Sequence, residues 1–266
     1  MGFKAVILDL DGCVYRGRKP IKGAVEALDT LRGMGLKLLF LTNNATRTVE
    51  DYVAKLNAMG IRCSEDEVLT SGYATSIYLA DRYGGVKVLP VGGEALEREL
   101  LRMGHEVLDW RKGGDPEFVV ACLDFEFSYE KLKNACFAIF QGARFVATNT
   151  DPTLPVEDRL LPGAGSIVAA ISKATGKRPL VIGKPSRRIM DIALKRLGMD
   201  GSEVVVVGDK LSTDVKAGKR IGAFTVLVLT GASSLADLER WRGDKPDLVL
   251  NSVSELPRAL RRLGEL

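Results

Sequence analysis

The stretch Val6-Ile7-Leu8-Asp9-Leu10-Asp11-Gly12 decides the reading of this chain. The apolar run after Met1-Gly2-Phe3-Lys4 has the pattern of a strand buried on both faces, as in the interior of a parallel sheet. It ends in two carboxylates two residues apart. Side chains so spaced on a regular strand share a face, and two like charges at about 4 Å repel by roughly 4 kcal/mol at an effective dielectric near 20. Either the backbone turns here and both aspartates cap the turn, or a cation offsets the repulsion. Open parallel sheets bind ligands beyond the carboxyl ends of their strands, and a hard cation such as Mg2+ takes oxygen ligands of this kind. The rest of the chain has to decide between the two.

With 266 residues, 46% of them hydrophobic, the chain can bury a full core without disulfides or a structural metal. The net charge of +4, from 38 basic and 34 acidic residues, is scattered over a mixed surface. No basic run interleaved with aromatics is present, so nucleic acid is not an expected partner. No apolar segment reaches the roughly eighteen residues of a membrane span, and the N-terminus lacks the pattern of a signal peptide, which predicts a cytoplasmic protein with no membrane partner. Cys13, Cys63, Cys122 and Cys136 lie far apart in sequence and are read as free, mostly buried thiols. The one histidine, His105, follows Met103-Gly104 and is read as a helix-end residue.

Strand and helix patterns alternate outward from the first strand. Residues 13–22 read as a loop, 24–34 as a helix, and 36–41 as a second buried strand ending in Thr42-Asn43-Asn44. A helix over 48–59, a short strand at 68–70 and a helix over 74–83 follow. The rhythm then restarts as a βαβαβ unit with its own core: strand 86–91, helix 94–103, strand 118–123, helix 129–141, strand 144–147. Trp110 to Asp115 reads as an exposed loop, 149–161 as a polar, proline-punctuated connection, and 163–175 as a helix rich in small residues. The outer rhythm resumes with a strand at 180–182 leading into Gly183-Lys184-Pro185-Ser186, and a helix over 188–197. The strand Val204 to Val207 ends in Gly208-Asp209-Lys210-Leu211-Ser212-Thr213-Asp214, followed by a short helix to Ile221, strands at 225–229 and 247–250, and a last helix over 253–263. The expected fold is therefore α/β: a doubly wound parallel sheet over 1–78 and 181–266, with an α/β domain inserted at 79–180.

Polar groups stand at four strand ends: Asp9 with Asp11, Thr42 with Asn43, Lys184, and Asp209 with Asp214. Each alone is an ordinary turn or cap, but in a doubly wound sheet such ends share one edge. Together they suit a phosphate group and a divalent metal. Asp9 and Asp209 would ligate Mg2+, Thr42 and the backbone amides near Asn43 and Gly12 would hold phosphate oxygens, and Lys184 would pair with their charge. A carboxylate is the available nucleophile, and a covalent aspartyl-phosphate would split the reaction into two easier steps. Asp11 is placed to protonate the leaving oxygen and then to take a proton from water, provided that neighbouring negative charge raises its pKa.

Asp9-Leu10-Asp11-Gly12, Leu41-Thr42-Asn43-Asn44, Gly183-Lys184-Pro185 and the Gly208 to Asp214 run resemble, in order, the four motifs of the haloacid dehalogenase-like hydrolases. With the large insert, the chain is similar to the branch of p-nitrophenyl phosphatases, phosphoglycolate phosphatase and NagD-type phosphatases. The resemblance runs nearly the whole length and includes Ala147-Thr148-Asn149, Asp151 and Pro162-Gly163-Ala164-Gly165-Ser166. It implies a Rossmann-like core with a cap. It places the nucleophile on Asp9, the acid/base on Asp11 and the phosphate contacts on Thr42, Asn43 and Lys184. The metal falls on Asp9, the Asp11 carbonyl and Asp209, with Asp214 orienting water around it. Lys210 departs from the arginine often found there. The insert would close over the sheet edge and set specificity, and the resemblance allows a homodimer.

The expected activity is Mg2+-dependent hydrolysis of small-molecule phosphomonoesters, with p-nitrophenyl phosphate as an artificial substrate and phosphoglycolate or a nucleoside monophosphate among those that fit. The competing reading is a non-catalytic phospho-acceptor or phosphate-binding module. Such modules also pair a sheet-edge aspartate with a metal, a threonine and a lysine, but they are about half this length and have no insert. A dinucleotide-binding dehydrogenase is excluded, because no G-x-G-x-x-G follows the first strand.

Overall fold

The computed structural model describes residues 2–112, 114–156 and 159–264. Along the chain its strands are β1 (Ala5–Leu8), β2 (Tyr15–Arg16), β3 (Lys19–Pro20), β4 (Lys37–Thr42), β5 (Val68–Thr70), β6 (Lys87–Val91), β7 (Glu106–Val107), β8 (Phe118–Ala121), β9 (Arg144–Ala147), β10 (Thr153–Val156), β11 (Arg159–Pro162), β12 (Leu180–Val181), β13 (Val204–Gly208), β14 (Phe224–Val228) and β15 (Leu248–Leu250). The chain divides into two compact units, one of Met1–Thr42, Tyr52–Leu69 and Met190–Leu266, the other of Asn43–Asp51 and Thr70–Ile189.

The first unit is built on a six-stranded sheet of order β15-β14-β13-β1-β4-β5. The run Ala5 to Leu8 is buried throughout, as a strand paired on both sides and covered on both faces must be. It pairs in parallel with β4 (Leu8 opposite Phe40) and with β13 (Leu8 opposite Val207). From β1 the sheet is wound outward through β4 on one side and through β13 and β14 on the other. The winding therefore reverses between β1 and β13, the place where such sheets open a crevice at their carboxyl edge. Asp9 and Asp209 are the residues at that edge. The helix Ala24–Gly33 turns Leu28 and Leu31 into the core at the expected spacing.

The second unit has its own parallel sheet, of order β12-β9-β8-β6-β7. Its core joins Val119 and Ala121 of β8 to Ala135 and Ile139 of the helix Tyr129–Phe140 and to Ile167 and Ile171 of the helix Ala164–Thr175. The expected α/β architecture with parallel sheets is what the chain adopts.

Several local expectations need correction. The strand before Lys184 does not rejoin the first sheet: β12 pairs with β9, Leu180 opposite Val146, at the edge of the second. The four polar strand ends therefore belong to two sheets, three to one and Lys184 to the other. Residues 13–22 carry the small antiparallel pair β2–β3 rather than an open loop. The 149–161 connection contains the pair β10–β11, while Glu157 and Asp158 lie outside the described residues, as does Gly113 of the 110–115 loop. The segment after Asp209 begins with a wide turn at Leu211–Val215 that Val215 N–H closes on Lys210 O, five residues back, before the helix Lys216–Arg220. His105 lies just past the end of the helix Glu94–Arg102, as a helix-end residue should. It is buried, with Nε2 2.9 Å from Ser76 O and Nδ1 accepting from Val86 N–H. The cysteines are free, with Cys13, Cys122 and Cys136 buried.

Candidate active site

Leaving β1, Asp9 N–H still donates to Val207 O at 2.9 Å, extending the ladder by one residue. The chain then turns sharply, with the amides of Val14 and Tyr15 both reaching Leu10 O. Gly12 sits in this turn at φ +82°, where a side chain would be strained, and a Cβ there would stand 2.5 Å from Asp209 Oδ2. The turn carries the two aspartates into different surroundings. Asp9 faces other carboxylates, whereas Asp11 lies beside Tyr15 and the charges of Lys55 and Arg16. Lys55 Nζ itself lies 3.6 Å from the centre of the Tyr15 ring.

One carboxylate oxygen from each of Asp9, Asp209 and Asp214 lies within 4.8 Å of the other two. Asp209 and Asp214 are buried. Three converging carboxylates, two of them out of water, are unfavourable unless a cation neutralises them. The donors are all hard oxygens, so the residues present fit Mg2+. The side chain of Asp11 is outside this cluster.

The cluster is held by backbone as much as by side chains. Gly208 lets the Asp214 carboxylate lie against the main chain, and Asp214 Oδ2 accepts from Lys210 N–H at 3.1 Å. Asp209 Oδ2 accepts from Ala232 N–H at 2.6 Å, and Asp209 O accepts from Ser233 N–H at 2.9 Å. Ser233 Oγ in turn accepts from Leu211 N–H, and Thr230 Oγ1 donates to Gly12 O at 2.6 Å. The turn 230–233 went unnoticed in the sequence. Its one signal is the run Thr230-Gly231 directly after a buried strand, at the same edge as the acidic residues.

Burial pushes the Asp11 carboxyl above the usual carboxylate range, although its side chain reaches solvent, while Lys55 and Arg16 pull the other way. The direction is the expected one, but the cause is desolvation and not neighbouring negative charge. Cys13 is fully buried with its thiol toward Val207 O, a small filler beneath the turn.

Thr42 ends β4 and is buried. Asn43 and Lys184 belong to the second unit, and there the structure brings them together. Asn43 Oδ1 accepts from Lys184 N–H at 2.7 Å, and Nδ2 donates to Lys184 O at 2.9 Å and to Asp151 Oδ2 at 2.8 Å. Asn149 Nδ2 and Ser71 Oγ both donate to Asn43 O. The Asn43 side chain is thus spent on positioning the Lys184 segment. Gly183 makes that docking possible, since a Cβ there would stand 2.6 Å from Asn43 Oδ1. Lys184 is buried.

The sequence model of the haloacid dehalogenase-like hydrolases matches residues 6–106, and a second model of HAD-like hydrolases matches 181–256. An acid sugar phosphatase of Staphylococcus aureus is 40% identical over 237 residues, 89% of this chain and 90% of the relative. The structure of a p-nitrophenyl phosphatase from Archaeoglobus fulgidus superposes with a TM-score of 0.91 at 38% identity, over 97% of this chain and all of that one. A glycerol phosphate phosphatase from Mycobacterium tuberculosis, solved in complex with magnesium, gives 0.88 at 36% identity over 96% of this chain and 76% of that one. The chain belongs to the haloacid dehalogenase-like hydrolases. Within them it is a phosphatase, an enzyme of the phosphoric monoester hydrolase class, which sets aside the non-catalytic module. No described helix is long and apolar enough to cross a membrane.

Proposed function

We propose that this phosphatase hydrolyses small, soluble phosphomonoesters with Mg2+, through a phosphoryl group carried on Asp9. The observation that carries the reading is the convergence of Asp9, Asp209 and Asp214 on one point, with Asp11 two residues from the first of them. Asp9, the Asp11 carbonyl and Asp209 would hold the metal, with Asp214 behind them. Bound there, Mg2+ would offset the carboxylate charge and that of the phosphate.

An Asp9 oxygen attacks phosphorus, the ester P–O bond breaks, and Asp11 gives its proton to the departing alkoxide. Asp11, now a base, takes a proton from water as that water attacks the phosphorus, which releases inorganic phosphate and restores Asp9. An acid and base in one residue needs a carboxyl whose pKa is raised, and burial acts on Asp11 in that direction. Thr42 and the backbone amides near Gly12 and Asn43 are assigned the phosphate oxygens, and Lys184 their charge. The inserted segment 79–180 is assigned the role of cap, excluding water and reading the leaving group.

The names of the relatives favour sugar phosphates, glycerol phosphate and the artificial p-nitrophenyl phosphate as first substrates to test; phosphoglycolate and nucleoside monophosphates complete the panel. Free thiols at all four cysteines suit a reducing, cytoplasmic setting. The homodimer allowed by the resemblance is to be checked by light scattering. The deciding experiment is phosphate release from this panel with Mg2+, with EDTA, and with Asp9→Asn. Turnover that needs Mg2+ and vanishes in the variant is the expected result, and full activity in EDTA or in Asp9→Asn refutes the proposal.

A further inference from the structure

Thr230 to Ser233 lies outside the four acid- and lysine-bearing motifs, yet each residue of the turn touches the segments that carry the acidic cluster. Thr230 donates its hydroxyl to Gly12 O, beside Asp11, and its own carbonyl accepts from the Arg16 guanidinium. Gly231 lies flat against Asp209: a Cβ there would fall 1.8 Å from Oδ2 and 2.5 Å from the Asp209 Cβ, an overlap that no swing of the carboxylate alone relieves. Ala232 N–H donates to Asp209 Oδ2, and Ser233 holds Asp209 O with its amide and Leu211 N–H with its hydroxyl. Thr230 therefore grips the turn after β1, and the other three residues grip the turn after β13.

We propose that Thr230-Gly231-Ala232-Ser233 is a positioning clamp that fixes the separation between the Asp9–Gly12 turn and Asp209, and so sets the affinity of the acidic cluster for Mg2+. This rests on the metal reading given above. A carboxylate cluster can repel itself open when empty and must stay at ligand spacing to receive a small cation with strict geometry. Such a clamp acts through ligand placement, and disturbing it changes metal affinity by roughly 10- to 100-fold, the range typical of residues supporting metal ligands.

The test is calorimetric titration of Mg2+ into the 266-residue chain freed of metal by EDTA and dialysed, for the wild type, Thr230→Val, Thr230→Ser and Gly231→Ala. Thermal unfolding in EDTA runs alongside. The expected result is a dissociation constant raised at least about tenfold in Thr230→Val and Gly231→Ala and nearly restored in Thr230→Ser, with every variant still folded in EDTA at the titration temperature. Unchanged Mg2+ affinity in Thr230→Val and Gly231→Ala overturns the clamp and leaves the metal site standing. Affinity losses that track equal losses of metal-free stability, Thr230→Ser included, reduce the turn to scaffold and also overturn it. A wild-type chain that takes up no Mg2+ overturns the metal site itself, and the clamp with it.

Discussion

The carboxylate of Asp214 lies against the main chain of Gly208, so close that a Cβ on Gly208 would stand 2.3 Å from the Asp214 Cγ. No rotation of Asp214 keeps its place in the cluster once that volume is filled. Gly208→Ala is therefore expected to push Asp214 out of the cluster and lower kcat/KM by about 10- to 100-fold at limiting Mg2+, with part of the loss recovered at high Mg2+. Steady-state kinetics across a Mg2+ series reads this directly.

Asn43 joins the Lys184 segment to Asp151 with three side-chain hydrogen bonds. Asn43→Ala leaves the Lys184 amide and carbonyl without those partners and is expected to destabilise the chain by about 1–3 kcal/mol in urea unfolding. If Lys184 neutralises phosphate charge, kcat/KM falls as well, by up to about a hundredfold, because a displacement near 1 Å is enough to misplace a positioned group.

Glu99 is buried in the helix Glu94–Arg102, with Oε1 accepting from Val49 N–H at 2.8 Å and Oε2 without a hydrogen-bond partner. Burial, helped by Glu50, raises its pKa against the Val49 amide and the charges of Arg102 and Arg98. A carboxyl whose pKa is higher folded than unfolded stabilises the fold most below the unfolded value, and that stability declines as pH rises toward the folded pKa. Glu99→Gln is expected to remove this decline, so that the urea midpoints of variant and wild type diverge from pH 4 upward. Parallel curves over pH 4 to 8 contradict the assignment.

Asp247 has the opposite sign. Burial works to raise its pKa, but the bond from Lys219 and those from the Thr225 amide and hydroxyl outweigh it and hold the carboxyl low. Its contribution is present above the unfolded carboxylate value near 3.9 and is lost as pH falls through the folded pKa. Asp247→Asn is expected to lower stability at pH 7 by about 1 kcal/mol, since solvent screens the pair, and to cost less at pH 3. Unfolding midpoints at the two pH values decide it.

What could be read from the sequence follows from what kind of group does the work. Asp9, Asp209 and Asp214 stood out because charge at the end of a buried apolar run is costly and needs a reason. The turn 230–233 did not, because it acts through backbone amides, a missing Cβ and two short hydroxyls, and Thr230-Gly231 after a buried strand is as common in an ordinary turn. The strand at 180–182 is legible, but its partner is not: a strand this short carries too little pattern to choose between sheets. The pair Tyr15–Arg16 and Lys19–Pro20 is shorter than any periodicity can register.

The placement of β1 beside β13 also orders events during synthesis. All five strands of the second sheet lie between Lys87 and Val181, so that sheet can close as soon as those residues have emerged. The strand that leads into Asp9 is made before all of them, yet its neighbour at the reversal point is Val204–Gly208, which at 5–20 residues per second follows roughly 10 to 40 seconds later. Until then a strand buried in the finished protein has one flank open, and Asp9 has neither Asp209 nor Asp214 beside it. A chain that stops before Val204 therefore carries all five strands of the second sheet but not the acidic cluster.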